Sequence, residues 1–432
     1  MGFQRRSVSL VPRVRIAAAV GVIGLVTVGV SACGNSSGSS ASGSTPAASS
    51  DAYVQMAQKI TQEAQHGVVY APTNEFTPGD QLKAMTTWLG PTATPPVPTG
   101  KSIAFVSCGA TICNETAQAG ARIADTNGFK TSLVNINGSA DIQNINQAMS
   151  SALALHPSAI IGICITATQI ADKLEQARQA GIVTLSTCDP TPTGGNGQFD
   201  AAADYANGLS TELLGWGIVA NSAGKANVVA VNDESYPAVI RKIGNLERVV
   251  QGCSTCKAKT VTWQVTDAVD SAKAANILTG IINGNPDMDT LVLPYSIGMP
   301  SAVQAVASSG RDIKIYADDA DSVNLQTLHD GSMQMLSSVD PQLVMYQAID
   351  QVIRGVDKSP YVEPAKLPYL AHLYTKDDVP QTRGRRLHEV LRLRIRVQQV
   401  VEAAVDAAPR WPNDAAPNPS RPGSVRAAAG NS

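Results

Sequence analysis

Cysteine is the side chain whose number and spacing most clearly suggest chemistry in this sequence of 432 residues. After the first cysteine, an even number follows, namely Cys108, Cys113, Cys164, Cys188, Cys253 and Cys256. An even count favours disulfide bonds in an oxidising compartment. The pairs closest in sequence, Cys108 with Cys113 and Cys253 with Cys256, are predicted to bond, which leaves the pairing of the other two open. A metal or redox site at Cys253 and Cys256 is the alternative, although no histidine lies nearby.

Catalytic chemistry has little other support in the sequence. The histidines are His66, His156, His329, His372 and His388, and they do not cluster. No Gly-rich phosphate loop, His-Glu metal motif or Ser-His-Asp order is visible. With 33 basic and 35 acidic residues, no charge excess indicates nucleic acid as a partner. The sequence therefore predicts a protein that is not an enzyme and that uses no metal or cofactor.

The N-terminus has the three parts of an export signal. Four arginines within the first fifteen residues precede an uncharged run, 16–32, that ends at Cys33. This run is shorter than the roughly 20 residues of a membrane-spanning helix, so a processed signal is predicted, with an uncleaved anchor as the alternative. The step Val30-Ser31-Ala32-Cys33 resembles the lipobox of bacterial lipoproteins, which implies that Cys33 carries the lipid. Residues 34–50 then form a flexible tether, and the body lies at the extracellular face of the cell membrane.

From Lys101 onward, short continuous apolar runs alternate with longer amphipathic stretches. This alternation is typical of buried parallel strands joined by helices. The strands predicted before a Gly- and Pro-rich break at 189–197 are 102–106, 131–136, 159–165 and 182–186. The strands predicted after it are 226–231, 260–264, 290–293, 313–317 and 333–337, with a last extended piece at 369–374. The predicted fold class is α/β, with two doubly wound parallel-sheet lobes.

The order of these elements resembles the type I periplasmic binding proteins, in particular the ribose-binding-like solute receptors of bacterial ABC importers. The stretches that carry the resemblance begin at Asp141-Ile-Gln-Asn, His156-Pro-Ser-Ala, Gln179-Ala-Gly-Ile and Ile313-Lys-Ile-Tyr. The stretches that begin at Trp88-Leu-Gly-Pro and Gly100-Lys-Ser-Ile are similar to an actinobacterial branch of these receptors. The family implies two lobes, joined by three hinge crossings, that close on a solute. The lobes are predicted at 101–190 with 339–360, and at 191–338 with 361–381, after an N-terminal extension at 51–100.

In this fold the ligand binds where the carboxyl ends of the strands meet. The ligand-binding residues that the resemblance implies are Thr111, Asn114, Thr166, Asp189, Tyr236, Arg241, Tyr295, Asp319 and Ser338. Asn114 could instead cap a helix, and Asp189 could be a turn residue before a proline. Arg241 could be a solvated helix residue beside Lys242.

Two further features of the sequence bear on the ligand. Asp318 and Asp321 lie close enough to Asp319 that any one of the three could face the cleft. The predicted cleft offers two tyrosines but no tryptophan, because Trp216 and Trp263 are predicted to lie in the core. The predicted ligand is therefore a small polar solute, with a sugar as the leading candidate.

The partners that the resemblance implies are an ABC transporter permease and, through the lipid anchor, the membrane. A monomer is expected. The alternative function is that of a ligand-sensing receptor for a membrane signalling protein. The segment 382–432 is rich in Arg, Ala and Pro and differs in composition from the rest, since 9 of the 19 arginines lie in it. A shifted reading frame is one interpretation of this segment, and a basic segment that touches anionic lipid is the other.

Overall fold

The computed structural model describes residues 50–73, 75–85, 95–136, 142–188, 193–203, 207–339, 341–363 and 369–379. The predicted signal segment with Cys33, the tether before Ser50, Asp189 and the segment 382–432 lie outside the described residues. Within the described ranges, no helix is both long enough and apolar enough to cross a membrane.

Strands and helices alternate along most of the described chain. The helices are α1 (Ser50–His66), α2 (Thr111–Thr126), α3 (Ile142–Ala154), α4 (Ala171–Gln179), α5 (Asn207–Asn221), α6 (Pro237–Gly252), α7 (Val265–Ala268), α8 (Ser271–Gly284), α9 (Met299–Ser309), α10 (Ser322–His329) and α11 (Pro341–Asp357). The strands are β1 (Val69–Ala71), β2 (Lys83–Ala84), β3 (Ser102–Ser107), β4 (Lys130–Asn135), β5 (Ala159–Ile163), β6 (Val183–Thr187), β7 (Ala201–Ala203), β8 (Asn227–Asn232), β9 (Lys257–Thr262), β10 (Thr290–Leu293), β11 (Lys314–Asp318), β12 (Met335–Ser338) and β13 (Tyr369–Tyr374).

The first lobe is built on a parallel sheet of five strands in the order β4-β3-β5-β6-β7. Its central strands are continuous apolar runs because helices cover both faces of the sheet. Two helices of this lobe are followed by glycine: Gly128 and Gly181 have φ values of 86° and 71°, a left-handed conformation that glycine adopts without steric penalty.

The second lobe is built on a sheet of eight strands in the order β2-β1-β13-β12-β11-β10-β8-β9. Strands β9, β8, β10, β11 and β12 are parallel, whereas β13 is antiparallel to β12. The extension before the first lobe supplies β1 and β2, which continue the sheet beyond β13 in antiparallel pairing. Its helix α1 packs on α5, where the rings of Tyr53 and Trp216 lie 4.9 Å apart. The sequence did not predict that the extension belongs to this sheet.

From β3 onward, the chain passes between the two lobes three times, as predicted. It leaves the first sheet after β7, returns after β12 to place α11 against α2 and β6, and crosses back to form β13. The predicted lobe boundary at residue 190 is wrong, because β7 pairs with β6 in the first sheet, with Thr187 opposite Ala203. The chain therefore leaves the first lobe after Ala203.

All six cysteines in the described part of the chain form disulfide bonds. The predicted pairs Cys108–Cys113 and Cys253–Cys256 are present. The other two, Cys164 and Cys188, form the third disulfide, with their Cα atoms 5.2 Å apart. Because Cys253 is bonded to Cys256 in this structure, neither offers the thiolate that the metal-site alternative for this pair requires. No group of three or more His, Cys, Asp or Glu within the described ranges is placed to hold a metal ion.

Candidate functional site

A cavity of about 290 Å³ lies between the lobes, at the carboxyl ends of the parallel strands of both sheets. The first lobe contributes Cys108, Gly109, Ala110, Thr111, Ile112, Cys113, Ile145, Cys164, Ile165, Thr166 and Cys188. The second lobe contributes Tyr236, Ala238, Val239, Lys242, Val265, Thr266, Val269, Tyr295, Ile297 and Asp319. Its volume is near the lower end of the range for small-molecule pockets, about 300 to 1,000 Å³. The cavity therefore suits a small ligand held by both lobes.

Lys242, a basic residue that lines the cavity, lies on the inner face of α6 and is buried. Its Nζ atom lies 2.8 Å from Asp318 Oδ2 and 2.9 Å from Asp319 Oδ1, and it donates to the Pro294 carbonyl at 3.1 Å. These contacts occupy all three ammonium donors. Burial lowers the pKa of Lys242, but the Asp318 and Asp319 carboxylates more than offset burial, and the net direction is upward. Lys242 therefore stays charged and fixes the position of Asp319.

Asp319 is the acceptor that this arrangement presents to the cavity. Burial raises the pKa of Asp319, and the Lys242 ammonium opposes that shift. Its Oδ1 atom accepts from Lys242, while its Oδ2 atom makes no hydrogen bond to any described residue. The carboxylates of Asp318 and Asp319 both contact the Lys242 ammonium. When all three side chains are ionised, this cluster carries one net negative charge. Such a site favours a ligand that donates hydrogen bonds.

The backbone at Asp319 has an unusual conformation, with φ of 72°. Aspartate tolerates this left-handed region better than most residues other than glycine. The Asn324 side chain stabilises the turn, because its Nδ2 atom donates to the carbonyls of Asp318 and Asp319 at 2.8 and 2.9 Å. Asp321 caps α10 by accepting from two backbone N–H groups, and it also accepts from the Ser296 hydroxyl. The three neighbouring aspartates thus have separate roles, and Asp319 is the one that lines the cavity.

Tyr295 belongs to a buried network of hydrogen bonds behind the cavity wall. Its hydroxyl accepts from Trp263 Nε1 at 2.8 Å and donates to Asp233 Oδ2 at 3.4 Å. Trp263 stacks on the Tyr295 ring, with centroids 6.2 Å apart, and is itself buried. Burial of the hydroxyl is the largest cause of the raised pKa of Tyr295, with the Asp233 charge second. Because both of its partners lie in the protein, Tyr295 offers the cavity its ring rather than a free hydroxyl.

The first-lobe wall is held by two disulfides. Cys164 and Cys188 each directly follow a strand, β5 and β6, and have φ values of 53° and 61°. The second disulfide, Cys108–Cys113, closes the loop between β3 and α2. Thr166 lines the cavity, but its hydroxyl also takes part in a capping box with Gln169. These covalent and capping contacts stabilise the shape of the wall.

Five of the predicted ligand-binding residues line the cavity: Thr111, Thr166, Tyr236, Tyr295 and Asp319. Three others do not, namely Asn114, Arg241 and Ser338. Asp189 lies outside the described residues.

Each of the three residues that do not line the cavity has a structural reason. Asn114 lies within α2, whose N-cap is Ala110, and its side chain accepts from the Ser107 hydroxyl at 2.5 Å and donates to the Gly109 carbonyl at 3.1 Å. Ser338 is buried in β12, and its hydroxyl donates to the carbonyl of the next residue. Arg241 lies one position before Lys242, which rotates it by about 100° around the helix.

Lys242 lines the cavity but was not predicted from the sequence. The signal for it was present in α6, because Val239, Ile243 and Leu246 are buried residues three or four positions apart, and Lys242 falls on the same face. Arg241 lies off that face. The assignment failed because a lysine is normally placed in solvent, and only the contact with Asp318 and Asp319 makes its burial favourable.

Comparison with known proteins identifies relatives of the same architecture. A family model described as "Periplasmic binding protein domain" matches residues 103–358. The ribose import binding protein RbsB of Bacillus subtilis is 21% identical over 220 residues, which is 50% of this chain and 67% of that protein. The predicted resemblance to ribose-binding-like receptors is therefore confirmed.

Solved structures agree at the level of the fold. A solute-binding protein of an ABC transporter from Burkholderia graminis, in complex with D-arabinose, has a TM-score of 0.56 at 15% identity, covering 66% of this chain and 98% of that one. One from Agrobacterium vitis with bound allitol has a TM-score of 0.53 at 21% identity, covering 68% and 99%. The family and these neighbours are solute-binding proteins and not enzymes, as predicted for this chain. Because the family model spans more than half of the sequence, this chain belongs to the periplasmic binding protein domain family.

Proposed function

We propose that this protein is a lipid-anchored, extracytoplasmic solute receptor that captures a sugar or polyol between its lobes and delivers it to an ABC transporter permease. The observation that carries the proposal is the cavity between the lobes, in which Lys242 holds the Asp319 carboxylate with one oxygen free. A carboxylate with free lone pairs accepts hydroxyl protons strongly. The relatives described with bound D-arabinose and allitol support this ligand class.

Binding in this proposal follows from the topology. The two walls of the cavity belong to different lobes, and from β3 onward the chain passes between those lobes three times. A rotation at these crossings would bring the first-lobe wall onto a ligand already bound to Asp319, as in other hinged receptors. The closed form would then be what the permease recognises. We further propose that the receptor acts as a monomer.

The binding step is tested with the purified full-length protein by calorimetry and thermal denaturation against aldopentoses, aldohexoses and polyols. A true ligand at 100 times its Kd should add about 2.7 kcal/mol to the free energy of unfolding. Asp319→Asn should weaken that ligand more than tenfold, while Asp287→Asn, the same change at an exposed position, should not. A cooperatively folded protein that no sugar or polyol stabilises would contradict the proposal.

The anchor and the permease need separate tests in cells. Cys33→Ala should move the protein from the membrane fraction to the medium and abolish labelling by a fatty acid. Deletion of the gene should prevent uptake of the ligand found in vitro, as should deletion of the permease. Normal uptake combined with loss of a transcriptional response would instead support the signalling receptor.

A further inference from the structure

The two walls of the cavity differ in chemistry. On the second-lobe wall, Lys242 and Asp319 supply charge and a free acceptor oxygen. On the described part of the first-lobe wall, the side chains are mainly hydrocarbon and disulfide sulfur: Ala110, Ile112, Ile145, Ile165, Cys108, Cys113, Cys164 and Cys188. Among the described residues, the charged side chains that a ligand meets, Lys242 and Asp319, therefore both lie on the second-lobe side of the cavity.

The described part of the first-lobe wall contributes two hydroxyl groups to the cavity, those of Thr111 and Thr166. The Thr166 hydroxyl already accepts a backbone N–H in its capping box. Thr111 lies at the first position of α2, is half-buried, and its hydroxyl makes no hydrogen bond to another described residue. One free hydroxyl can satisfy only a small part of a polyhydroxylated face.

Apolar residues also continue toward the opening of the cavity. Val269, which lines it from the end of α7, is 56% exposed, and the half-buried Ile297 lies on the same wall. Small-molecule pockets are lined mainly by apolar side chains, with a few polar groups that fix the orientation of the ligand. The apolar character is thus not confined to the deepest part of the cavity.

Burial against such a wall discriminates between a hydroxyl and a hydrogen or methyl group on the ligand. A hydroxyl that loses water there without gaining a partner weakens binding by roughly tenfold to a hundredfold. Each buried methylene or methyl group strengthens binding by about fourfold. These two effects act in the same direction.

We infer that the ligand is an amphipathic polyol or deoxy sugar, with hydroxyls along the edge that faces Asp319 and a methyl or methylene face toward Ile145 and Ile165. This inference rests on the proposed function and narrows its ligand class. The hydroxyl edge donates to the free Asp319 oxygen, and the opposite face packs on hydrocarbon and disulfide sulfur.

The test compares matched ligands on the full-length protein by calorimetry. Each 6-deoxyhexose is paired with the parent hexose of the same configuration, and each 1,2-alkanediol of four to six carbons with a linear polyol of the same length. The expected result is that the deoxygenated member binds at least tenfold more tightly in the pair that binds best. Tighter or equal binding of the fully hydroxylated member in every binding pair overturns this inference and leaves the proposed function intact.

Two further outcomes are decisive. If neither member of any pair binds and no aldopentose binds either, the proposed function falls together with the inference. If an alkylamine of the same length binds more tightly than the diol, the ligand is a cation attracted to the net negative charge, and the inference is wrong.

A variant of the first-lobe wall adds an independent readout. Ile145→Ala removes hydrocarbon from the described first-lobe wall. The deoxygenated member of the best-binding pair should then lose at least about threefold more affinity than its fully hydroxylated partner, because only the deoxygenated face packs on Ile145. Equal losses for the two members would overturn the inference. Asp319→Asn serves as the positive control for lost binding.

Discussion

The carboxyl group of Glu212 should make the stability of this protein fall as the pH rises from about 5 to 9. Glu212 lies on α5, is fully buried, and its Oε2 atom accepts the Thr77 backbone N–H at 3.1 Å. Burial raises the pKa of this carboxyl to about 8, and the Thr77 N–H, the Trp216 indole and the Arg248 guanidinium only partly offset burial. The group is therefore largely protonated at neutral pH in the folded protein.

The sign of the effect follows from linkage. The pKa of Glu212 is higher in the folded protein than in the unfolded chain, so its protonated form stabilises the fold. This contribution to the free energy of unfolding is complete below pH 4.5 and is lost as the pH rises through about 8. The difference between 4.5 and about 8, at 1.36 kcal/mol per pH unit, bounds the loss at about 5 kcal/mol. Relaxation around the charge reduces this figure, so a change of about 2 to 4 kcal/mol is expected.

Glu212→Gln tests this reasoning, because glutamine has the same shape and does not ionise. Measured by thermal or urea denaturation, the variant should be within about 1 kcal/mol of the wild type at pH 5 and more stable by about 2 to 4 kcal/mol at pH 9. Glu75→Gln, the same change at an exposed position on the same segment as Thr77, is the matched control and should show no such divergence.

Hydrogen exchange can locate the effect. Thr77 belongs to the N-terminal extension, as does Tyr53, whose hydroxyl donates to the Val249 carbonyl at 2.7 Å. Separation of the N-terminal extension from α5 would expose the ionised Glu212 carboxylate to water. At pH 9, α1 should therefore exchange faster in the wild type than in Glu212→Gln. Parallel pH profiles of stability for the two proteins would refute the reasoning, whatever the exchange data show.

Two further predictions concern packing and cross-links. Gly120→Ala should destabilise the protein by about 1 to 3 kcal/mol in urea denaturation, because a Cβ atom there would lie 2.6 Å from Phe105 Cε1 and Met345 Sδ. Gly244→Ala is the control. Because open space surrounds Gly244 in α6, this change should stabilise the protein by about 0.4 to 1 kcal/mol. Equal effects of the two substitutions would argue against close packing at α2. Replacing Cys164 and Cys188 by alanine should lower the free energy of unfolding by about 3.5 kcal/mol, since their disulfide joins residues 24 positions apart. The same change at Cys253 and Cys256, which are 3 positions apart, should lower it by about 1.5 kcal/mol. The reverse order would contradict the loop-entropy argument.

The parallel strands could be predicted from sequence because helices cover both of their faces. Runs such as β3 and β5 are then apolar without interruption, and they differ clearly from the amphipathic helices between them. The strand β7 has only three alanines beside a Gly-rich break, so its pattern is too short to indicate a strand. Its place in the first sheet depends on pairing with β6, which is a long-range contact. The short strands β1 and β2 escaped prediction for the same reason.

The site could be predicted only in part because its residues depend on side-chain direction. Thr111, Thr166, Tyr295 and Asp319 were predicted correctly because each follows the end of a strand. In this fold, the position after a strand decides which residues reach the cleft. Helix residues depend on rotation as well, and an error of one position exchanged Lys242 for Arg241.

The rigidity of the cavity walls bears on how a ligand could be held. Two disulfides fix the first-lobe wall, and the buried ion pairs of Lys242 fix the second. Neither wall can then adapt much to a ligand by rearranging its own backbone, so adaptation has to come from the angle between the lobes. A hinge changes the distance between the walls but not their chemistry. Selectivity in this protein should therefore reflect the pairing of a polar edge with an apolar face more than the exact size of the ligand.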